Sequence, residues 1–193
     1  MKLSGVFAEA LVYACQAHDG QLRKGTRIPY VTHVLAVAGL TLEHGGGEKT
    51  AIAALLHDAA EDAGGRERLE DIGRRFGADV AALLAACSDS LAATPDAKAP
   101  WRERKEEHLA RLRGCRPEVA LIVACDKLHN SRSILADLRA RGPAAFERFK
   151  GGQAGTIWYL QSAAGIVRER VPPALSAELD RTVAEIAHLA GAA

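Results

Sequence analysis

One imidazole and three carboxylates fall within six consecutive residues of this chain, at His57, Asp58, Glu61 and Asp62. On a helix, Asp58, Glu61 and Asp62 stand at i, i+3 and i+4 and share one face. Like charges on one face repel each other, so a neutralising cation is expected. A divalent metal fits because carboxylate oxygen and imidazole nitrogen are both metal ligands. These four residues alone leave a solvated helix face as the alternative.

Two further ligand-type side chains, His33 and Asp126, interrupt apolar patterns elsewhere in the chain. A histidine such as His33, taken alone, is usually a core or capping residue. Asp126 follows an apolar run and shares a helix face with Asn130 at i+4. Burying an unpaired carboxylate costs on the order of several kcal/mol, so Asp126 needs a partner. If the helices converge, one metal would have four ligands: His33, His57, Asp58 and Asp126.

Two imidazoles and two carboxylates suit Mn²⁺ or a similar ion better than a structural zinc site, which is closed by thiolates. Such an ion lowers the pKa of bound water and supplies hydroxide near neutral pH. Glu61 and Asp62 would then position or deprotonate that water.

The apolar residues recur with a period near 3.6 almost throughout, and alternating runs rich in Val, Ile and Thr are absent, which predicts an all-α fold. The length of 193 residues predicts a single domain over 1–193, with a motif-bearing core at about 7–140 and closing helices at about 154–189. The charged helix at 101–113 is expected to be mostly exposed, with His108 at the surface. The predicted helices span about 3–18, 32–43, 49–62, a short helix ending at 76, 78–88, 101–113, 117–140, 154–170 and 175–189.

Charge and composition narrow the possible partners. With 25 basic and 24 acidic residues, the net charge of +1 predicts no general affinity for nucleic acid or membranes. No uncharged apolar run is long enough to span a bilayer, and Glu9 interrupts the one N-terminal stretch that could pass for a signal peptide. Four widely spaced cysteines without a C-x-x-C pair indicate free thiols, and we expect a cytoplasmic protein.

The order His, then His-Asp, then Asp resembles the HD superfamily of metal-dependent phosphohydrolases. Further blocks in the same order sharpen the likeness to the hydrolase domain of the RelA/SpoT family. A bare His-Asp pair is common, whereas five correctly ordered blocks are specific. The blocks are 18–24 (HDGQLRK), 29–33 (PYVTH), 54–62 (ALLHDAAED), 76–77 (FG) and 126–132 (DKLHNSR).

Enzymes of that family use Mn²⁺ to remove the 3′-pyrophosphate of the purine alarmones ppGpp and pppGpp. The resemblance implies one Mn²⁺ held by His33, His57, Asp58 and Asp126. It implies catalytic roles for Glu61 and Asp62. It also implies nucleotide contacts from Arg23, Lys24, Asn130, Arg132 and Ser133, to which the aromatic Tyr159 is added as a candidate.

Several stretches depart from the family pattern. Ala59 and Ala60 replace larger residues, and 88–113 and the chain after about 138 match loosely. These departures leave the base open, so ppApp or pApp is an alternative to ppGpp. The chain resembles the small hydrolases that stand alone, without a synthetase domain. An HD phosphatase of another nucleotide and a nucleotide sensor without turnover are the remaining alternatives.

Overall fold

The computed structural model of the chain describes residues 2–62, 64–92, 94 and 97–191, and for Asp62 it describes the backbone alone. Within these residues helices predominate, and extended segments pair only in an isolated antiparallel bridge between Leu22 and Pro29. The predicted all-α class is confirmed. None of the described helices is long and apolar enough to cross a membrane. The chain forms two compact units, Met1–Ala99 and Pro100–Ala193, and its assignment to a single domain stays a prediction.

The first unit is built around a short helix, α3, that is buried from Thr50 to Leu56. It packs against α1, α2 and α6, which together cover its apolar faces. Gly77, with φ +99°, separates two of the outer helices because that backbone conformation is open to glycine at little cost. In chain order the helices are α1 (Gly5–Ala17), α2 (Val31–Glu43), α3 (Glu48–Leu56), α4 (Ala59–Asp62), α5 (Gly65–Phe76) and α6 (Ala78–Cys87).

The prediction of one continuous helix over 49–62 was wrong, because the chain turns at His57 and Asp58 between α3 and α4. His57 Nδ1 lies 2.7 Å from the carbonyl oxygen of Ala54. A continuing α-helix would use that carbonyl to accept the N–H of Asp58. The acidic residues of this stretch therefore do not lie on a single helix face.

The second unit is organised around a 25-residue helix, α8, which begins with Pro117 in its first turn, as predicted. It packs against α9, α10 and a 3₁₀ segment at Gly142–Phe146, and its apolar residues from Val119 to Leu138 are buried. In chain order the helices are α7 (Trp101–Leu112), α8 (Pro117–Arg141), α9 (Gly152–Val167) and α10 (Pro173–Leu189).

The charged helix α7 is less exposed than its composition suggested. It packs against α9 and buries Arg104, His108 and Leu109. The expectation of a surface His108 was wrong, since 2% of this residue is exposed. Its Nδ1 lies 2.9 Å from the hydroxyl of Tyr159, so a polar partner on α9 offsets the cost of burying the imidazole.

Candidate metal centre

Two imidazoles and one carboxylate converge in the first unit, at His33, His57 and Asp58. One ligand atom from each lies within 4.8 Å of the others. Asp58 Oδ2 is 3.0 Å from His57 Nε2 and 3.5 Å from His33 Nε2. Both histidines are buried, while the Asp58 side chain is 20% exposed. Solvent therefore reaches the carboxylate of the cluster, while the imidazoles are shielded from it.

The packing of α2 against α3 brings these residues together from two parts of the chain. His33 lies in the first turn of α2, and His57 lies directly after the last residue of α3. Their rings meet edge to face with centroids 5.2 Å apart. The carbonyl of Ala54 can only accept a hydrogen bond, so His57 Nδ1 is the donor in their contact. This leaves His57 Nε2 as the nitrogen directed toward Asp58.

The electrostatics of the cluster favour an ionised carboxylate. Burial of Asp58 works to raise the pKa of its carboxyl group, but the charge of His57 and hydrogen bonds from His33 and His57 outweigh it. The pKa of Asp58 is therefore held well below its ordinary value. A carboxylate beside two imidazole nitrogens is a donor set that fits a divalent ion such as Mn²⁺ or Zn²⁺.

Tyr30 belongs to the same cluster, a role that the sequence analysis missed. Its hydroxyl donates to Asp58 Oδ2 at 2.6 Å, and its ring contacts the His33 ring edge-on at 5.5 Å. The available signal was its position three residues before His33, on the approach to α2. The spacing between Tyr30 and His33 is compatible with a shared helix face. It does not reveal the hydrogen bond from Tyr30 to Asp58, which lies 28 positions further along the chain.

Glu61, a predicted catalytic residue, is held by two polar groups of the first unit. Its Oε2 accepts a hydrogen bond of 3.2 Å from the backbone N–H of Asp89, and its Oε1 lies 3.7 Å from Lys98 Nζ. The same ammonium donates to the Glu61 carbonyl at 2.9 Å. The sequence analysis missed Lys98. The side chain of Asp62, the other predicted catalytic residue, lies outside the described part of the chain.

Arg23 and Lys24, two of the predicted nucleotide contacts, lie in a loop over 21–30, here called the substrate loop, which is closed by backbone bonds. Arg23 N–H donates to Ile28 O and Tyr30 N–H donates to Gln21 O, both at 2.8 Å. The Arg23 guanidinium lies over the Tyr30 ring, 5.6 Å from its centroid. Lys24 is exposed. The loop thus presents two cations, one of them stacked on the tyrosine that binds Asp58.

Asp126, the predicted fourth ligand, lies in the second unit on α8. It is buried, with 8% exposure, and the requirement for a partner is met by two donors. Lys127 Nζ donates to its Oδ2 and Asn130 Nδ2 to its Oδ1, both at 2.5 Å. Asn130 therefore contacts a predicted ligand within its own helix, while its predicted contact with a nucleotide stays a prediction.

The other predicted nucleotide contacts also lie in the second unit. Arg132 donates two hydrogen bonds to Glu178 Oε1 on α10, at 3.1 and 2.5 Å. Ser133 is half-buried on α8. Tyr159 is buried on α9, with Lys105 Nζ 4.7 Å and Lys127 Nζ 5.1 Å from its ring centroid. Two ammonium groups near one ring make a basic aromatic cluster.

Comparison with protein families gives a match over most of the chain. The family model described as HD domain matches residues 10–149. This range includes His33, His57, Asp58 and Asp126. It runs through parts of both compact units.

Individual relatives carry the same likeness. The chain is 33% identical over 134 residues to the guanosine-3′,5′-bis(diphosphate) 3′-pyrophosphohydrolase MESH1 of Xenopus tropicalis, over 68% of this chain and 70% of the relative. It is 34% identical to the bifunctional (p)ppGpp synthase/hydrolase SpoT of Escherichia coli over 65% of this chain, but spans 18% of that longer protein. The solved structure of a metazoan ortholog of SpoT that hydrolyzes ppGpp superposes with a TM-score of 0.72 at 24% identity, covering 100% of this chain and 99% of the other, and it supports the fold.

Proposed function

This chain belongs to the HD domain family, and on that premise we propose that it is a metal-dependent 3′-pyrophosphohydrolase of purine alarmones such as (p)ppGpp or (p)ppApp. The observation that carries the proposal is the cluster of His33, His57 and Asp58, which has two buried imidazoles and ligand atoms within 4.8 Å of one another. The named activities of the Xenopus and Escherichia relatives support the substrate class.

The metal site is proposed to hold one Mn²⁺. His33, His57 and Asp58 would bind it, and Asp126 stays the predicted fourth ligand on the strength of motif order. When bound, a divalent ion supplies Lewis acidity toward water and phosphate oxygen. The geometry of the cluster supports this role, because Asp58 Oδ2 lies 3.0 Å from His57 Nε2 and 3.5 Å from His33 Nε2.

Glu61 and Asp62 are proposed to handle the proton of the attacking water. The Asp89 N–H donates to Glu61 Oε2, and the Lys98 ammonium lies near its Oε1, so the Glu61 carboxylate has a fixed orientation. Release of pyrophosphate requires water to attack the phosphorus attached to the ribose and the bond from that phosphorus to O3′ to break. The leaving O3′ then takes a proton, which one of these carboxylates can return.

The nucleotide is proposed to contact the substrate loop. Arg23 offers a planar guanidinium that can stack on a purine, and Lys24 offers a point charge for phosphate. The proposed roles of Arg23 and Lys24 rest on the family likeness and on their position in an exposed loop. Asn130, Arg132, Ser133 and Tyr159 stay predicted contacts from the second half of the chain. The purine base is proposed to be guanine or adenine. A cytoplasmic location is also proposed.

The decisive experiment incubates the purified chain with Mn²⁺ and, separately, ppGpp, ppApp and the nucleoside monophosphates GMP and AMP. We expect pyrophosphate from the 3′-pyrophosphorylated substrates and no phosphate from the monophosphates. Asp58→Asn is the control for contaminating phosphatases. Orthophosphate from GMP or AMP would favour a phosphatase of another nucleotide, whereas binding without turnover of any substrate would favour a sensor. The ratio of kcat/KM for ppGpp and ppApp identifies the base.

A further inference from the structure

Tyr30 lies between the candidate metal centre and the substrate loop. On one side its hydroxyl donates to Asp58 Oδ2 at 2.6 Å and its ring contacts His33. On the other side the Arg23 guanidinium lies over its ring, 5.6 Å from the centroid. Its backbone N–H donates to Gln21 O and holds the residue at the end of the loop.

The hydroxyl is bonded to the carboxylate oxygen that faces both imidazoles. His57 Nε2 and His33 Nε2 lie 3.0 and 3.5 Å from this same Asp58 Oδ2. An Asp carboxylate rotates with little resistance about its terminal torsion, so an additional donor is needed to fix its plane. Hydrogen bonds to metal-binding carboxylates commonly have this effect, and their loss lowers metal affinity.

We propose that Tyr30 is a positioning residue for metal binding, whose hydroxyl fixes the Asp58 carboxylate in the orientation that faces His33 and His57. The inference rests on the proposed function, since it takes Asp58 to be a metal ligand. It adds a residue for which neither motif spacing nor family likeness assigned a role. Tyr30 then has two functions: its hydroxyl positions the Asp58 carboxylate, and its ring supports the Arg23 guanidinium.

The chain contains a matched control for removal of the hydroxyl. Tyr13, also in the first unit, donates its hydroxyl to Asp71 Oδ2 at 3.0 Å. Tyr13→Phe therefore breaks the same type of phenol-carboxylate bond, at a carboxylate that is not in the metal cluster. Tyr30→Phe and Tyr13→Phe differ in which carboxylate loses its donor, and each keeps its aromatic ring.

The experiment measures the Kd of Mn²⁺ by isothermal titration calorimetry on the metal-stripped full chain. It compares wild type, Tyr30→Phe, Tyr13→Phe and Asp58→Asn, after thermal melts have established that each is folded. We expect a Kd about tenfold higher for Tyr30→Phe. Tyr13→Phe should match the wild type, and Asp58→Asn should lose the site. Tyr30→Leu is a second variant without the hydroxyl, expected to weaken Mn²⁺ similarly and also to raise the substrate KM, because Arg23 loses its ring.

The outcomes separate the inference from the proposed function. If Asp58→Asn loses Mn²⁺ while Tyr30→Phe binds it as tightly as the wild type, the positioning role is overturned and the metal centre stands. If Asp58→Asn binds Mn²⁺ like the wild type, the cluster is not the metal site and both proposals fail. An equal loss of affinity in Tyr13→Phe and Tyr30→Phe would also overturn the inference, since the effect would then be general to the fold.

Discussion

The Nδ1 atom of His57 donates to the carbonyl oxygen of Ala54 across 2.7 Å, and this bond leaves Nε2 as the available ring nitrogen. When His57 is neutral, as a metal ligand must be, its proton would be on Nδ1 and its lone pair on Nε2, the nitrogen 3.0 Å from Asp58 Oδ2. A backbone carbonyl that fixes the tautomer of a metal-binding histidine is a common arrangement around protein metals. The same bond lies at the end of α3, where His57 is the C-cap residue.

Replacing His57 by alanine should remove the metal. The substitution deletes one of the two imidazoles of the cluster, and we expect bound Mn²⁺ to fall from about one ion per chain to near zero. Elemental analysis after gel filtration measures this. His44→Ala is the matched control, because His44 also lies in the first unit, at the end of α2. A full metal content in His57→Ala would exclude this histidine as a ligand.

Glu61→Gln should separate metal binding from catalysis. The amide keeps the size of the side chain and an oxygen that can accept the Asp89 N–H, but it cannot take a proton from water. We expect normal Mn²⁺ content and a kcat lower by about 100- to 10,000-fold. The exposed Glu70→Gln serves as control. A kcat near that of the wild type would show that Glu61 is not the proton acceptor.

Asp126→Asn tests the predicted fourth ligand. A neutral amide is a weaker metal ligand than a carboxylate, so Mn²⁺ content and turnover should both fall. Asp137→Asn is a control on the same helix. The Asp137 carboxylate pairs with Arg141 and Arg148 and is not a predicted metal ligand. Thermal melts are needed for both variants, since each leaves cations without their carboxylate. Unchanged Mn²⁺ affinity in folded Asp126→Asn would remove Asp126 from the ligand set.

Arg23→Lys keeps the charge of the loop but loses the planar group that stacks on Tyr30. Arg23 is the proposed stacking partner of the purine, and such a contact is worth about 0.5–1 kcal/mol, so we expect the KM for the alarmone to rise about two- to fivefold with little change in kcat. Arg27→Lys, an exposed position in the same loop, should leave KM unchanged. Equal KM values for the two variants would argue against a specific role of the Arg23 guanidinium.

The pH dependence of stability should show the contribution of Asp71. Desolvation works to raise the pKa of Asp71, but hydrogen bonds from Tyr13 and Arg75 outweigh it and lower the pKa. A lowered pKa means that ionised Asp71 stabilises the fold above its ordinary pKa of about 3.9 and that this stabilisation is lost as the pH falls through the lower, folded-state value.

The Tm difference between wild type and Asp71→Asn should therefore be constant between pH 5 and 7, where the carboxylate is ionised in both states. It should shrink below about pH 4, where the unfolded chain begins to take up the proton first. Differential scanning calorimetry across this range makes the measurement. A difference that persists unchanged at the lowest pH would mean that the ionised form of Asp71 is not what stabilises the fold.

Much of the fold could be predicted because helix formation is encoded locally. The start of α8 at Pro117 and the apolar period along that helix follow from neighbouring residues. The candidate ligands His33, His57 and Asp58 were identifiable by residue type and motif order, and the structure brings these three together. Their convergence was inferred from chemistry, since no spacing in the sequence relates residue 33 to residue 57.

Other features depended on contacts between distant residues. His108 is buried where α7 packs on α9, with the Tyr159 hydroxyl as its polar partner, and the composition of α7 carries no sign of that partner. The interruption of the predicted 49–62 helix lies where the His57 side chain binds the backbone carbonyl of Ala54, a contact that the helical pattern of the residue types does not predict. Both differences come from hydrogen bonds, whose directions a sequence pattern does not contain.

The sequence by itself determined the helical class and the chemical types of the candidate ligands, because periodicity and residue identity are properties of the chain. The tertiary structure decided the orientation of those ligands. The packing of α2 against α3 places the imidazoles with centroids 5.2 Å apart, and Tyr30 reaches the Asp58 carboxylate across 28 positions of sequence. Metal affinity depends on distances and angles between such groups, and only the packed helices set these.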